Sequence, residues 1–274
     1  MELSLSVRVA ESFSNKRVVD IQLPDLAGIA RRAGYTALCM RASVVGVGSA
    51  PETVESARTL LGREGLAVSM VTGDFAVPEN GDDGPGCLRN ITPYLDLAQA
   101  LGSDLIRVCI KTEGDVPFAR QSADEAAERN IRLAHQSHTL SLFETVEGSL
   151  RVLRKIGRAN FGLIYEPANL ALCGEDYGPD TLREFQPYLF NVYLQNHAPH
   201  PDGDMPMTTW ANGTLMSILR PLDAAGGIDF GRVFEGLQAI SYGGYVTVHQ
   251  AFGGRQTPDE AATRSARFLK SFIV

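Results

Sequence analysis

The sequence predicts a single (β/α)₈ barrel that spans residues 1–274. Three observations favour this fold class. Short apolar runs alternate with amphipathic stretches, which is the pattern of parallel strands connected by helices. Eight such units can be counted, and no linker or break in composition divides them. The residues after the first strand, 10–14, contain no glycine-rich phosphate-binding turn, so an open nucleotide-binding sheet is disfavoured.

The predicted strands are short apolar runs bounded by Gly, Asn or Pro, and the first begins almost at residue 1. They are Leu3–Val9, Ala37–Arg41, Ala67–Val71, Leu105–Ile110, Ile131–Gln136, Phe161–Glu166, Val192–Asn196 and Tyr245–His249.

The predicted helices are amphipathic stretches between these strands. They are Pro24–Ala33, Glu52–Glu64, Leu88–Leu101, Val146–Ile156, Thr181–Tyr188, Phe230–Ile240 and Asp259–Phe272. The connection before the fifth strand offers only a short helix, Ala123–Arg129.

Two predicted loops are unusually long. One, Thr72–Cys87, follows the third strand, and the other, His197–Ile228, follows the seventh and carries the only tryptophan, Trp210. Both leave the face where barrel enzymes keep their active sites, so each is expected to be a lid, part of a substrate pocket, or a surface excursion.

Composition excludes several classes of protein. A formal charge of −7 disfavours contact with nucleic acid, and no run of apolar residues is long enough to span a membrane. The four cysteines are far apart, which disfavours structural zinc and is typical of reduced thiols. The N-terminus lacks the pattern of a signal peptide, so we expect a cytoplasmic protein with a small-molecule substrate. The sequence leaves open whether the chain forms a homo-oligomer.

All five histidines fall at or near the C-terminal ends of predicted strands: His135, His138, His197, His200 and His249. Because side chains alternate along a strand, His138 and Gln136 share one face while His135 points toward the helices. We therefore interpret His135 as a packing residue and His200 as a solvated loop residue. His138, His249 and His197 are catalytic candidates, together with Glu166.

Glu166 ends an apolar strand, where a buried carboxylate needs a metal, a cation or a substrate hydroxyl as its partner. A salt bridge to a neighbouring arginine is the alternative. Arg41, Arg107 and Lys111 close the second and fourth strands and could hold an anionic or hydroxyl-rich substrate, although each could equally be a surface charge.

Short motifs at these strand ends make the chain resemble the xylose isomerase-like barrel superfamily. This superfamily includes sugar isomerases, ketose 3-epimerases, a dehydratase of cyclitols and an endonuclease. The motifs are Ala33-Gly34-Tyr35, Gln136-Ser137-His138, Glu166-Pro167-Ala168-Asn169, Tyr193-Leu194-Gln195-Asn196, Gly226-Gly227-Ile228-Asp229-Phe230 and Gly244-Tyr245 leading to His249.

The resemblance implies a divalent-metal site and substrate contacts at the barrel mouth. The usual ligand set of Glu, Asp, His and Glu would correspond to Gln136, Glu166, Tyr193 and His249, so only one carboxylate is kept. The resemblance and the strand ends together suggest six substrate-binding residues: Arg41, Arg107, Asn169, Tyr193, Asn196 and Trp210. A Glu common on the second strand is replaced by Cys39.

Three hypotheses follow from these departures. In the first, Gln136, Glu166 and His249 still bind Mn²⁺, Zn²⁺ or Mg²⁺, and a histidine replaces glutamate as the base of a sugar isomerase or epimerase. In the second, the same site catalyses elimination from a keto-sugar or cyclitol. In the third, the barrel has lost catalysis and binds a sugar or a partner.

Overall fold

The computed structural model describes residues 1–251 and 256–273 and contains a closed barrel of eight parallel strands, as the sequence predicts. In chain order the strands are β1 (Glu2–Ser6), β2 (Ala37–Arg41), β3 (Ala67–Thr72), β4 (Leu105–Val108), β5 (Arg132–Gln136), β6 (Phe161–Tyr165), β7 (Leu189–Leu194), β8 (Asn196–Pro199), β9 (Met205–Thr209), β10 (Gly213–Arg220) and β11 (Tyr245–Val248). Strands β1 to β7 and β11 form the barrel, which β11 closes between β7 and β1.

Helices connect the strands on the outside of the barrel. They are α1 (Leu23–Ala33), α2 (Pro51–Glu64), α3 (Ala76–Glu79), α4 (Gly86–Arg89), α5 (Thr92–Leu101), α6 (Val116–Glu128), α7 (Val146–Ile156), α8 (Pro167–Leu172), α9 (Pro179–Phe185), α10 (Phe230–Ala239) and α11 (Pro258–Lys270). Three short 3₁₀ helices lie at Val7–Val9, Glu113–Asp115 and Gln186–Tyr188.

Helix α7 shows why the sequence folds locally as it does. The hydroxyl of Thr145 accepts a hydrogen bond from the backbone N–H of Gly148 and so caps the first turn. Basic residues in the last turn, Arg154 and Lys155, complement the helix dipole. The helix ends at Gly157, whose φ of 60° lies in the left-handed region that glycine adopts without strain.

The inside of the barrel is filled by side chains. Cys39, Met70, Leu105, Ala134, Ile164 and Tyr193 form one apolar cluster there. A second layer is polar: Ser4 and Ser69 share a hydrogen bond of 2.6 Å, and Thr247 donates to Asn191 at 2.9 Å. Because the interior is packed, a ligand can bind only at an end of the barrel.

The structure corrects several predicted boundaries. The first strand stops at Ser6, because Val7–Val9 form a 3₁₀ helix, and the seventh strand runs over Leu189–Leu194. The helix before the fifth barrel strand, α6, begins at Val116 and is longer than the predicted Ala123–Arg129. Its buried positions include Ala119 and Ser122, residues too small or polar to produce a clear apolar stripe in the sequence.

The long loop after β7 contains a sheet that the sequence did not predict. Strands β8, β9 and β10 form a three-stranded antiparallel sheet with β10 in the centre. The hairpin turn between β9 and β10 carries Trp210. Within the described residues, no helix is both long and apolar enough to cross a membrane.

Candidate functional site

A cavity of about 310 Å³ lies at the C-terminal ends of the barrel strands. This volume is at the lower end of the range for small-molecule pockets. Six residues predicted from the sequence line it: Arg107, Gln136, His138, Asn169, His197 and His249. The small sheet covers one side of the cavity with Met205, Met207 and Leu219. The structure therefore brings most of the predicted site residues to one polar cavity with a partly apolar wall.

Glu166 is fully buried directly behind this cavity, at the end of β6. Its carboxylate accepts hydrogen bonds from the side-chain amides of Gln136 and Gln195 and, at 3.0 Å, of Asn169. All three amides line the cavity. Burial raises the pKa of Glu166 to about 7, although the amides and the cationic Arg107 and Lys16 act in the opposite direction.

His138 offers an available nitrogen at the cavity. Its Nδ1 donates a hydrogen bond of 2.8 Å to the carbonyl oxygen of Thr139, which fixes the proton on Nδ1. No described residue hydrogen bonds to its Nε2. Burial, assisted by the charge of Arg107, lowers the pKa of His138 to about 3, so the ring is neutral at physiological pH.

His249 is held more rigidly. Its Nδ1 shares a hydrogen bond of 2.9 Å with the hydroxyl of Ser6, and its ring stacks on Tyr193 with centroids 3.9 Å apart. Burial lowers the pKa of His249 well below the ordinary value, and Arg41, Arg107, Arg8 and Lys16 act in the same direction. A neutral ring fixed on both sides can orient a ligand but has little freedom to move.

His197 lies on β8 at the edge of the cavity. Its Nε2 is 2.6 Å from the hydroxyl of Ser217, which itself donates to the carbonyl oxygen of Met205. The hydroxyl must therefore accept from His197, which places a hydrogen on Nε2. Burial lowers the pKa of His197 to about 4.

The other two histidines do not line the cavity. His135 points away from it, donates from Nδ1 to the carbonyl oxygen of Val108 at 3.1 Å and packs edge-on against Phe143. His200 lies in the loop after β8, where its ring accepts a hydrogen bond from the backbone of Asp202. The position of His135 agrees with side-chain alternation along the strand, and that of His200 with its interpretation as a loop residue.

Two predicted substrate-binding residues lie inside the protein instead of at the cavity. Arg41 is 1% exposed and donates two hydrogen bonds to the carboxylate of Glu11, at 2.7 and 3.0 Å. Tyr193 is fully buried in the barrel interior, where its hydroxyl shares a hydrogen bond of 3.1 Å with the thiol of Cys39. Neither side chain lines the cavity, because the guanidinium of Arg41 faces Glu11 and the hydroxyl of Tyr193 faces Cys39.

Asn196 and Trp210 are also placed elsewhere. The Asn196 amide donates to the carbonyl oxygens of Pro221 and Ala224, and its carbonyl oxygen accepts from the backbone N–H of Ile228. It thus holds the two ends of the long loop together. Trp210 is 55% exposed and lines a separate surface cavity. In the sequence, Asn196 ends a predicted strand and Trp210 lies in the long loop that follows it. Only the path of that loop in the structure shows that neither residue lines the cavity.

Four polar residues at the site were not predicted as members of it: Arg8, Glu11, Lys16 and Gln195. Arg8 hydrogen bonds to the carbonyl oxygens of Ser12 and Phe13, and Lys16 to that of Pro78. Three of the four lie in or near the loop after β1, which has no sequence motif. The only available signal was their position directly after the C-terminal end of a strand.

The residues present do not fit a divalent cation. Both carboxylate oxygens of Glu166 already accept amide hydrogens, and the hydroxyl of Tyr193 faces Cys39 in the barrel interior. Arg107 and Lys16 line the same cavity and would repel a cation. Among the described residues, no three His, Cys, Asp or Glu side chains are grouped as metal ligands. We therefore derive no chemical step through a metal.

Residues 28–272 match a family model described as xylose isomerase-like TIM barrel. A search of curated proteins finds no significant match. Among solved structures, the probable 3-DHS dehydratase AsbF of Bacillus anthracis is 14% identical with a TM-score of 0.73, over 98% of this chain and 99% of that one. The D-allulose 3-epimerase of Methylomonas sp., in complex with D-allulose, is 17% identical with a TM-score of 0.68, over 99% and 96%. The IOLI protein, solved with zinc, is 14% identical with a TM-score of 0.72, over 100% and 98%. At these identities the likeness concerns the fold.

Proposed function

Because the chain belongs to the xylose isomerase-like TIM barrel family, we propose that it is an isomerase or epimerase of a small sugar-like substrate. The reaction moves a proton on a carbon next to a carbonyl group. The observation that supports this proposal is the juxtaposition, at one cavity, of an unprotonated His138 nitrogen and the buried carboxylate of Glu166. Proton transfer of this kind needs positioned acid–base groups and a site that stabilises negative charge.

His138 is the residue we assign as the base. The His138 ring lines the cavity and is held in one tautomer by the carbonyl oxygen of Thr139, so its Nε2 carries a lone pair. A histidine in this role agrees with the replacement of the family's glutamates by Gln136 and His249. Glu166 is the second acid–base candidate. Its pKa of about 7 is better matched to proton transfer at neutral pH than the pKa of His138, about 3. Glu166 lies one layer deeper, however, and a substrate must displace an amide to reach it.

Three side-chain amides are suited to bind the hydroxyl groups of such a substrate. Gln136, Asn169 and Gln195 each line the cavity, and each donates to the carboxylate of Glu166. Their N–H groups are therefore fixed toward Glu166, which leaves the amide oxygens as acceptors. The Oε1 atom of Gln136 is buried with no hydrogen-bond partner among the described residues. A substrate hydroxyl would satisfy it.

Removal of a proton next to a carbonyl leaves an enediolate with negative charge on oxygen. Arg107 and Lys16 line the cavity and would stabilise that charge. In this proposal, cationic side chains and not a divalent metal stabilise the enediolate, since the donor set does not fit a metal.

An exchange experiment tests the proposal. We would incubate the protein in deuterium oxide with a panel of three- to six-carbon ketoses, aldoses and 2-keto acids, and follow deuterium next to the carbonyl by NMR. We expect exchange with at least one compound, and a loss of about 100-fold or more in His138→Asn, because a general base contributes roughly 10²–10⁴-fold. His200→Asn, outside the cavity, is the matched control.

The products distinguish the remaining hypotheses. An isomer or epimer agrees with the proposal, whereas a product that has lost water would favour elimination, which begins with the same proton abstraction. Exchange that is unchanged in His138→Asn would refute the assigned base. Absence of exchange across the panel would favour a barrel that binds without catalysis.

A further inference from the structure

Arg107 is a buried cation that forms no ion pair with any described residue. It lies on β4, is 3% exposed and lines the cavity. In the part of the chain that the structure describes, its guanidinium makes no hydrogen bond and no ion pair, and its Nε is buried and unsatisfied. Its Cζ lies 5.9 Å from the ring centroid of Tyr193, and Glu166 acts on its charge without forming an ion pair. Burial of an unpaired charge is costly unless another group compensates it.

Arg41 shows what a compensated arginine looks like in the same protein. It is 1% exposed, and its Nη1 also lacks a hydrogen-bond partner among the described residues. Its charge is nevertheless compensated, because the carboxylate of Glu11 accepts two of its hydrogens, and Ser43 and Arg8 also donate to that carboxylate. Glu11 is therefore fully engaged and cannot serve Arg107. The difference between the two arginines points to a missing partner at Arg107, not to a general excess of buried arginine.

Glu166 is not that partner. Its two oxygens accept the amides of Gln136, Asn169 and Gln195, and it forms no ion pair with Arg107 within the described residues. Two more cations, Arg8 and Lys16, line the same cavity. Among the described residues, Glu11 also acts on Arg8 and Lys16, and Asp204 acts on His197 at the edge of the cavity. In this part of the chain the four cations at the site, Arg8, Lys16, Arg41 and Arg107, therefore outnumber the carboxylates that act on it.

We propose that the substrate carries an anionic group, a carboxylate or a phosphate monoester, which binds between the guanidinium of Arg107 and the ammonium of Lys16. Planar guanidinium groups match the oxygens of either anion in a bidentate arrangement. This inference adds the charge of the substrate to the proposed function. It rests on the proposed function only in treating the bound anion as a substrate. Neutral sugars would leave Arg107 unpaired.

Calorimetric titration with three six-carbon ligands tests the inference. The probes are neutral D-fructose, D-fructose 6-phosphate and 2-keto-D-gluconate, with inorganic phosphate as a fragment. We expect at least one anionic sugar to bind tenfold or more tightly than D-fructose, and the two anions separate phosphate from carboxylate. In Arg107→Gln the anion should bind roughly 10- to 100-fold more weakly, the effect of losing one charge-assisted hydrogen-bonding group. Lys16→Gln should weaken it in the same direction. Arg17→Gln, at the exposed neighbour that pairs with Glu79, is the control.

Thermal unfolding of the ligand-free proteins provides a second readout. Removal of an unpaired buried charge should leave the melting temperature of Arg107→Gln unchanged or higher, whereas removal of a structural arginine would lower it. Equal affinity for D-fructose and both anions, or anion binding that is unchanged in Arg107→Gln, would overturn the inference. Because binding is measured without turnover, anion binding without deuterium exchange would refute the proposed function alone. If the wild type and Arg107→Gln catalyse deuterium exchange on neutral sugars equally well, only this inference would be refuted.

Discussion

The ion pair between Glu11 and Arg41 provides the sharpest test of how the site is built. The structure places both side chains at 1% exposure, with two hydrogen bonds of 2.7 and 3.0 Å between them. Glu11→Gln keeps the size of the side chain but removes the charge that Arg41 and Arg8 share. If Arg41 were a substrate ligand on the surface of the cavity, this change would have little effect on stability.

The expected loss follows from burial. Removal of one partner of a buried ion pair costs about 3–5 kcal/mol, because the other charge is left uncompensated, whereas an exposed pair contributes about 1 kcal/mol or less. In a domain of this size, each kcal/mol lowers the melting temperature by roughly 2–4 °C, which gives a decrease of about 6–20 °C. The 1% exposure of both side chains supports the buried case.

Equilibrium denaturation in urea, followed by circular dichroism, measures this loss. The double variant Glu11→Gln/Arg41→Met removes both charges of the pair and should recover part of the stability, while Arg8 still lacks the carboxylate it shares with Arg41. Glu79→Gln, which removes the partner of the exposed Arg17, is the control and should cost less than about 1 kcal/mol. A loss below about 1 kcal/mol in Glu11→Gln, or no recovery in the double variant, would refute the structural role of the pair.

Two further predictions concern metal and pH. Protein purified without chelator should contain far less than one equivalent of Mn²⁺ or Zn²⁺, and a stoichiometric metal would contradict the conclusion that the residues do not fit a divalent cation. The variant Gln136→Glu/His249→Glu should bind either metal at least about tenfold more tightly, because it adds two carboxylates beside Glu166. Burial lowers the pKa of Lys16 to about 8. The charges of Arg41, Arg8 and Arg107 lower this pKa further, and the charge of Glu11 raises it. Lys16 is therefore charged below about pH 8 and neutral above it. Affinity for 2-keto-D-gluconate, whose own charge is constant over this range, should therefore fall as pH rises through about 8, and Lys16→Gln should lack this decline; an identical pH profile in the two proteins would contradict it.

The barrel itself could be predicted from the sequence because each strand is a local feature. All eight predicted barrel strands overlap observed ones, and errors are confined to a few residues at their ends. The sheet formed by β8, β9 and β10 was missed because β9 and β10 are mostly exposed and polar, so their pairing depends on the turn and on contacts distant in sequence. Helix α6 was shortened because small residues bury its face.

The sequence predicted part of the site, because the position of a residue after a strand is also a local feature. Residues at the ends of strands, such as Gln136, His138 and Asn169, reach the mouth of any such barrel, and they line the cavity. Arg41 and Tyr193 also end strands, yet their side chains turn toward Glu11 and Cys39. The sequence pattern does not show whether a residue near a strand end lines the cavity or packs inside the protein, since this depends on which residue lies opposite it in the barrel.

By itself, the sequence determined the fold and the gathering of histidines at one end of it, because strand alternation and strand order follow from local apolar patterning. Only the tertiary structure decided the charge of the cavity. Glu11 neutralises Arg41, while three amides occupy Glu166 and Arg107 forms no ion pair within the described residues. Ion pairing joins residues that are remote in sequence, so the sequence alone could not distinguish the surroundings of these two arginines.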